Sequence, residues 1–172
     1  MSISLDGSLR NIEKVLIVDG YSATGKKLLC MLLQTFQRVE KMEMNNFVSE
    51  LSCLKFYDKI SLDGYKSTLK VHLNITLNNI ILSRSMNFRP FDGSSIFNTF
   101  NKFEYFKRLL SKEGNYVNDF YRKKNPILHL MTHYCYPVLA DMQSVLGSNL
   151  CYVTMIRHPV YCISHIKYLL EN

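Results

Sequence analysis

Three short apolar runs in this 172-residue chain, each leading through a polar turn into an amphipathic helix, predict an α/β protein built on a parallel sheet. The first run covers residues 15–18 and is followed by a loop that ends at Gly25 and by apolar residues at helical spacing as far as Val39. The other two runs are Ile127–Met131 and residues 150–156. We therefore expect a parallel sheet with helices packed on both faces, in three layers.

Composition indicates one globular domain over residues 1–172. The chain is 47% hydrophobic and 20% charged, which excludes a disordered protein. Its net charge of +7 favours anionic partners. No run is apolar enough to cross a membrane and the N-terminus lacks a signal core, so we expect a cytoplasmic protein without a membrane span. The five cysteines include no CxxC pair, which predicts reduced thiols.

The middle of the chain predicts helices separated by a loop. Residues 41–57 carry apolar side chains at helical spacing. Residues 65–85 alternate as a strand would and also fit a helix face, but they run without Gly or Pro for longer than strands usually do, which favours a helix. Residues 87–95 include Pro90 and Gly93 and predict a loop. From Ile96 onward, phenylalanines at 97, 100, 103 and 106 predict a helix that packs through an aromatic stripe.

The ends of the chain and the final third complete the expected elements. Residues 1–13 suggest a polar lead-in, and residues 116–124 a basic turn or short helix. Pro137 is suited to the first turn of a helix that stops at Gly147. The near-continuous apolar character of residues 150–156 predicts a strand buried on both faces, followed by a last helix to about Leu170.

The loop after the first strand carries the clearest motif. Gly20-x-x-x-x-Gly25-Lys26 matches the phosphate-binding loop, in which successive backbone N–H groups and a helix N-terminus face an anion. Nucleotide-hydrolysing loops follow the lysine with Ser or Thr, whose hydroxyl holds Mg²⁺. Lys27 occupies that position here, so the motif favours an anion site without a metal. An ordinary strand-to-helix turn is the alternative interpretation.

Two further polar residues follow the later strands. His133 comes after Ile127–Met131, and Arg157 ends the last apolar run. In open parallel sheets ligands bind at the carboxyl ends of the strands, so the loop, His133 and Arg157 are expected on one rim. A structural histidine and a solvent-exposed arginine at a strand end are the competing interpretations.

The segment HLMTHYCYPVLADMQSVLGSNLCYVTMIRHPVYCISH resembles the core of the P-loop sulfotransferases. That family has a strand ending in Thr-His, and a later strand ending in an Arg-x-Pro turn before a helix with a phosphate-binding Ser. Its N-terminal loop is a variant phosphate loop that works without Mg²⁺. The resemblance covers residues 14–36 and 126–168 and implies a P-loop-type parallel sheet.

The resemblance also implies a function. The protein would move a sulfuryl group from 3′-phosphoadenosine 5′-phosphosulfate, without metal, to a hydroxyl or amine of an unidentified small molecule or glycan; it implies no specific nucleic-acid partner. His133 would act as general base with Lys26 as the catalytic cation, and Arg157, with Ser164 or a neighbour of it, would hold the 3′-phosphate; the sequence leaves open whether Ser164 or His165 faces it. The residues that would hold the 5′-phosphosulfate are Tyr21, Ser22, Ala23, Thr24, Gly25, Lys26, Lys27 and Leu28.

The chain departs from the family in four ways. Ala23 and Met131 stand where the family usually has a basic residue. Ser164 lies seven positions after Arg157, whereas the family spacing is eight, so His165 takes the eighth position. The sequence also stops one helix after Arg157, which predicts an incomplete domain or an open site.

Two other functions are compatible with the motifs. A P-loop kinase or NTPase is disfavoured because Lys27 removes the metal-binding hydroxyl and neither later strand ends in an acidic residue. A non-catalytic anion-binding or nucleotide-binding module of the same fold is credible because Ala23 and Met131 leave the site with fewer cations.

Overall fold

A four-stranded parallel sheet with helices on both faces forms the centre of the protein, which confirms the expected α/β fold. The computed structural model describes residues 13–111, 119–120 and 123–171. The predicted lead-in therefore falls almost wholly outside the described residues, as does much of the basic segment 116–124. The strands are β1 (Lys14–Gly20), β2 (Glu43–Met44), β3 (Ile127–Met131) and β4 (Leu150–Met155), in the spatial order β2-β3-β1-β4.

Six helices can be assigned within the described ranges. None of them is long and apolar enough to cross a bilayer. The long α3 confirms the helical interpretation of residues 65–85. Three short 3₁₀ turns lie at Ile96–Asn98, Tyr136–Val138 and Gly147–Asn149. The helices are α1 (Lys26–Leu33), α2 (Asn46–Phe56), α3 (Leu62–Ile81), α4 (Lys102–Leu109), α5 (Leu139–Leu146) and α6 (Pro159–Glu171).

The larger core lies on the sheet face covered by α2, α3 and α5. Val15 pairs with Leu128 and Ile17 with Leu130, and paired residues of parallel strands point to the same face. Helix α3 contributes most to this core because one side of it is apolar throughout its length. Its fully or almost fully buried residues are Tyr65, Leu69, Leu73, Leu77, Ile80 and Ile81.

A smaller cluster holds α1 against the opposite face. It contains Val18, Met131 and Cys30, all buried, and burial raises the pKa of the Cys30 thiol to about 11. Helix α1 is shorter than the sequence predicts. It ends at Leu33, and Phe36, which lies beyond its end, is 63% exposed. The short strand β2 lies within the region predicted as one helix over residues 41–57 and was missed, because two residues give no periodic signal.

The prediction that β4 is buried on both faces is wrong. Within the described residues β4 has one neighbour, β1, so it lies at the edge of the sheet. Its side chains are half-buried and Cys151 is exposed. The apolar composition of β4 is compatible with burial on both faces. Its actual burial depends on the order of strands in the sheet, which places it at the edge.

The predicted aromatic stripe is also wrong in its orientation. The helix after Ile96 is interrupted, and the phenylalanines at 97, 100, 103 and 106 are between 46% and 81% exposed. Helix α4 instead directs Tyr105 and Arg108 inward. The hydrophobic pattern was misleading because a buried acceptor, Glu40, makes Arg108 the better residue for the inner face.

Candidate functional site

The loop between β1 and α1 requires glycine at both ends. Gly20 has φ of 140°, and a Cβ there would lie 2.4 Å from the carbonyl oxygen of Met155 on β4. Gly25 has φ of 94°, in the left-handed region that favours glycine. The two glycines therefore bring the loop close to the carboxyl end of β4 and turn the chain directly into α1.

The backbone amides of this loop are free to bind an anion. Residues 22–23 form a turn, and the amide N–H groups of Gly25, Lys26 and Lys27 have no acceptor among the described residues. The first helical bonds of α1 run from Leu28 and Leu29 to the carbonyl of Gly25, and no side chain caps the helix. The first turn of α1 contains no acidic residue. Successive unpaired N–H groups at a helix N-terminus favour negative charge.

The side chain of Lys26 is buried inside the loop, whereas that of Lys27 is exposed. The Lys26 side chain is buried, and its ammonium donates hydrogen bonds to the carbonyl oxygens of Gly20 and, at 2.9 Å, Tyr21. Burial lowers the pKa of Lys26, while the nearby Asp19 carboxylate acts in the opposite direction. The Lys27 side chain is exposed. Adjacent residues of a helix differ by about 100° in direction, which separates the two cations.

Asp19 joins the loop region to the neighbouring strands. Its carboxylate is 1% exposed and accepts hydrogen bonds from four groups, all of them neutral. The donors are Thr132 Oγ1 at 2.9 Å, the backbone N–H groups of Cys135 and Tyr136 at 3.1 Å each, and Tyr152 OH at 2.6 Å. Asp19 thus connects the ends of β1 and β3, the following 3₁₀ turn and β4.

A cavity of about 410 Å³ opens at the carboxyl ends of the strands, above the loop. It brings together the three polar features that were expected on one rim: the loop, His133 and Arg157. Its charged side chains are all cationic, and no carboxylate is among its described lining residues. The cavity is lined by Tyr21, Ser22, Ala23, Thr24, Gly25, Lys26, Lys27, Met44, Met131, His133, Arg157 and His165.

His133 presents a neutral ring to the cavity. Its backbone N–H donates to Ser49 Oγ at 3.0 Å, which fixes the chain after β3. Neither ring nitrogen forms a hydrogen bond with another described residue, and the ring lies 5.8 Å from that of Tyr134 between centroids. Burial lowers the pKa of His133, and the Lys26 ammonium lowers it further, while Asp19 acts in the opposite direction. The ring is therefore neutral at pH 7 and able to accept a proton.

Arg157 connects the end of β4 to the loop. Its Nη1 donates to the carbonyl oxygen of Ala23 at 3.0 Å, and its guanidinium lies 5.7 Å from the ring centroid of Tyr161. Only one of the five guanidinium donors is used in this bond, so the others remain available to a ligand. Arg157 can therefore position the loop and contact an anion at the same time.

Two of the residues expected to bind the nucleotide do not line the cavity. Leu28 is 66% exposed on the outer side of α1. Ser164 Oγ donates to the carbonyl of Val160 at 2.9 Å on its own helix, whereas His165 lines the cavity. The sequence left open which of these two would face the ligand.

Sequence reasoning missed three residues that shape the site. Asp19 directly precedes the loop, and a carboxylate at the end of an apolar strand was a signal that could have been used. Tyr152 donates to Asp19 from β4, and Met44 of β2 lines the cavity wall. The last two carry no sequence signal, because their roles depend on strand order.

No protein-family model, curated protein or solved structure matches the chain. Across the described residues, no three His, Cys, Asp or Glu side chains come together as a metal site would require.

Proposed function

We propose that this protein is a sulfotransferase that uses 3′-phosphoadenosine 5′-phosphosulfate and an acceptor hydroxyl or amine. One observation carries the proposal: an open helix N-terminus, whose first amides have no acceptor among the described residues, forms one wall of a cavity whose charged lining is entirely cationic. Such a site is suited to a phosphate or phosphosulfate group. The order of motifs in the sequence supports the sulfotransferase interpretation over other anion-binding functions.

The dimensions and charges of the cavity fit a nucleotide with two anionic groups. Its volume of about 410 Å³ lies within the range of roughly 300–1,000 Å³ typical of small-molecule sites. The loop amides and Lys26 would hold the 5′-phosphosulfate, and Arg157 would hold the second phosphate. Lys26 would exchange its carbonyl partners, Gly20 and Tyr21, for the anion. Binding of the anion by these groups needs no metal, because the loop N–H groups and the Lys26 ammonium supply the positive potential.

The proposed reaction is an in-line transfer. The acceptor oxygen or nitrogen attacks sulfur, the sulfur–oxygen bond to the 5′-phosphate breaks, and His133 takes the acceptor proton. The leaving phosphate gains charge, which the loop amides and Lys26 stabilise by electrostatics in a preorganised site. Burial and Lys26 keep His133 neutral at pH 7, which is the protonation state that a general base needs.

Calorimetry with adenosine 3′,5′-bisphosphate tests the binding half of the proposal. We expect binding in EDTA that is unchanged by Mg²⁺. Binding of ATP only in the presence of Mg²⁺ would favour a kinase or NTPase and contradict the proposal.

Transfer of labelled sulfuryl groups to a panel of hydroxyl and amine acceptors tests the chemical half. We expect His133→Ala to reduce the rate about 10²–10⁴-fold, the usual effect of removing a positioned base. Bisphosphate affinity should stay nearly unchanged. His158→Ala is a matched control because His158 does not line the cavity. Equal activity of His133→Ala and wild type would remove His133 from the mechanism.

A non-catalytic nucleotide-binding module is the second candidate, and Met131 is the observation that favours it. Met131 lines the cavity with a thioether where the resembled family has a second cation, which leaves less stabilisation for the leaving group. Metal-independent bisphosphate binding without transfer to any acceptor in the panel would support this candidate.

A further inference from the structure

Helix α4 carries apolar side chains on the face that points away from the core. Its inward face is fixed by the buried ion pair of Arg108 with Glu40. The outward residues recur at intervals of three and four, which places them on one side of a helix and its last turn. These residues, all exposed, are Phe103, Phe106, Lys107 and Leu110.

The loop before α4, residues 87–95, presents a further phenylalanine on a held backbone. Asn87 Nδ2 donates to Asp92 Oδ2 at 2.8 Å, and Asn98 Nδ2 donates to the carbonyl oxygen of Asp92 at 3.0 Å. Phe91 lies between these fixed points and is 101% exposed. Its exposure is therefore a property of the folded loop.

Aromatic contacts join this loop to α4. The ring of Phe88 lies 6.3 Å from that of Phe97 and 6.5 Å from that of Phe106, in both cases edge to face. The loop, the 3₁₀ turn after it and α4 therefore contribute to one surface, which we call the aromatic face. Its phenylalanines, between 46% and 101% exposed, are Phe88, Phe91, Phe97, Phe103 and Phe106. Exposed apolar patches of this kind mark interaction sites.

The charges on the aromatic face are mainly positive. Of the nearby carboxylates, Asp92 is bonded within the loop and Glu104 is paired with Lys124 at 2.9 Å. Phenylalanines interspersed with cations match an anionic lipid surface, where the rings enter the acyl boundary and the cations meet the headgroups. A ring exposed on every side, like that of Phe91, suits a deformable lipid layer better than a shaped protein surface. The exposed cations are Arg89, Lys102 and Lys107.

We propose that the aromatic face docks this protein onto an anionic lipid surface, with Phe91 and Phe103 inserted and the three cations at the headgroups. None of these residues lines the cavity, so the inference goes beyond the proposed function and does not depend on it. The attachment is peripheral and needs no membrane-spanning helix.

A tryptophan reporter tests the insertion directly, because the chain has no tryptophan of its own. Phe91→Trp in the full chain is titrated with vesicles of phosphatidylcholine alone and with vesicles that also contain about 30% phosphatidylserine, an anionic lipid. We expect the anionic vesicles to shift the emission to the blue and brominated acyl chains to quench it.

Phe56→Trp is the matched control for the reporter. Phe56 is 55% exposed and lies just before α3, whereas the aromatic face follows the other end of this 20-residue helix, about 30 Å away. Its emission should not shift with either kind of vesicle.

Vesicle sedimentation measures the contribution of individual side chains. We expect Phe91→Ser to weaken binding to anionic vesicles about tenfold, because part of the ring's apolar surface no longer enters the lipid. Lys107→Gln should weaken it about fivefold, the usual effect of one cation at an anionic surface. Phe56→Ser and Lys59→Gln, on exposed residues before α3, should stay within twofold of wild type.

Three results would overturn the assignment. Wild type that does not bind anionic vesicles would remove lipid as the partner. Equal losses in the Phe56 and Lys59 variants, or an equal blue shift in Phe56→Trp, would show only the non-specific adhesion of a basic protein. Binding of a single-stranded oligonucleotide that is lost in Phe91→Ser, without binding of vesicles, would assign the aromatic face to nucleic acid.

Discussion

Asp19 and Glu40 are both buried carboxylates, but the protein satisfies them in opposite ways. Asp19 is 1% exposed and is held by two hydroxyls and two backbone amides, none of which carries charge. Glu40 is 5% exposed and is paired with Arg108, whose Nη1 and Nη2 lie 2.6 and 3.2 Å from its two oxygens. Tyr105 OH donates to Glu40 Oε2 at 2.8 Å.

The positions of the two carboxylates explain the difference. Glu40 and Arg108 neutralise each other away from the cavity, and the guanidinium lies over the rings of Tyr105 and Phe120 at 4.5 and 4.2 Å. Asp19 lies beside the cavity, where a salt bridge would remove the positive charge on which the proposed anion binding depends. Neutral donors satisfy it and leave the Lys26 ammonium to the loop. The Glu40–Arg108 pair therefore supports the fold, whereas the neutral donors around Asp19 support the candidate site.

Removing the counter-ion of Glu40 should have the largest effect. We expect Arg108→Ala to lower the free energy of unfolding by about 3–5 kcal/mol, because it leaves a buried charge uncompensated. Urea denaturation measures this loss. Lys124→Ala is the control, since the Lys124–Glu104 pair is exposed and should contribute at most about 1 kcal/mol. A loss below 1 kcal/mol for Arg108→Ala would show that Glu40 is solvated or protonated.

His129 extends the comparison to a buried polar side chain whose ring is not satisfied. It is fully buried in β3, and neither ring nitrogen has a well-formed hydrogen bond to another described residue. Burial lowers the pKa of His129 to about 4, although the nearby backbone of Glu40 acts in the opposite direction. The unfolded chain, with its ordinary value near 6.5, binds the proton first as pH falls. Stability should therefore decrease from about pH 6.5 to pH 4 and lose about 3 kcal/mol in total.

Urea denaturation at a series of pH values checks this decrease. His129→Leu should flatten the pH dependence in that window, since leucine fills a similar space and cannot be protonated. The same slope in the variant would assign the acid sensitivity to another group.

The two adjacent lysines test whether the cavity beside Asp19 binds an anion through the inward-facing Lys26. We expect Lys26→Ala to weaken adenosine 3′,5′-bisphosphate binding by about 1.5–3 kcal/mol, the usual contribution of a charged hydrogen bond. Lys27→Ala removes the same net charge from an exposed side chain at the edge of the cavity, so it should weaken binding less than Lys26→Ala does. Calorimetry in EDTA measures the bisphosphate affinity of both variants. Loss of binding in Lys27→Ala alone would contradict the inward orientation of Lys26.

Asp19→Asn should reduce stability less than Arg108→Ala does. Asparagine keeps the size of the side chain but loses the charge and one acceptor, so we expect a loss of about 1–3 kcal/mol from imperfectly satisfied donors. Bisphosphate affinity should also fall, because the ends of β1, β3 and β4 are no longer held together. Arg108→Ala, assayed while folded, should bind normally. Normal binding by Asp19→Asn would mean that Asp19 supports only the fold.

Much of the β1–loop–α1 unit was predictable because its determinants are local. An apolar strand, glycines that permit positive φ, and a helix that begins at Lys26 are all encoded within 20 consecutive residues. His133 and Arg157 were predicted at the same rim for a related reason, since the carboxyl ends of parallel strands share one edge. The burial of Arg108 was not predictable, because its partner Glu40 lies 68 residues away.

The sequence by itself determined the α/β class, the approximate position of most strands and helices and the candidate residues of the proposed anion site, because periodicity and backbone preference act over a few residues. Tertiary structure decided the strand order, the position of β4 at the edge, the neutral donors around Asp19 and the choice of His165 over Ser164 at the cavity. These features depend on which distant residues meet in space. A one-residue step on α6 changes direction by about 100°, so only its packing decides which side chain faces the site.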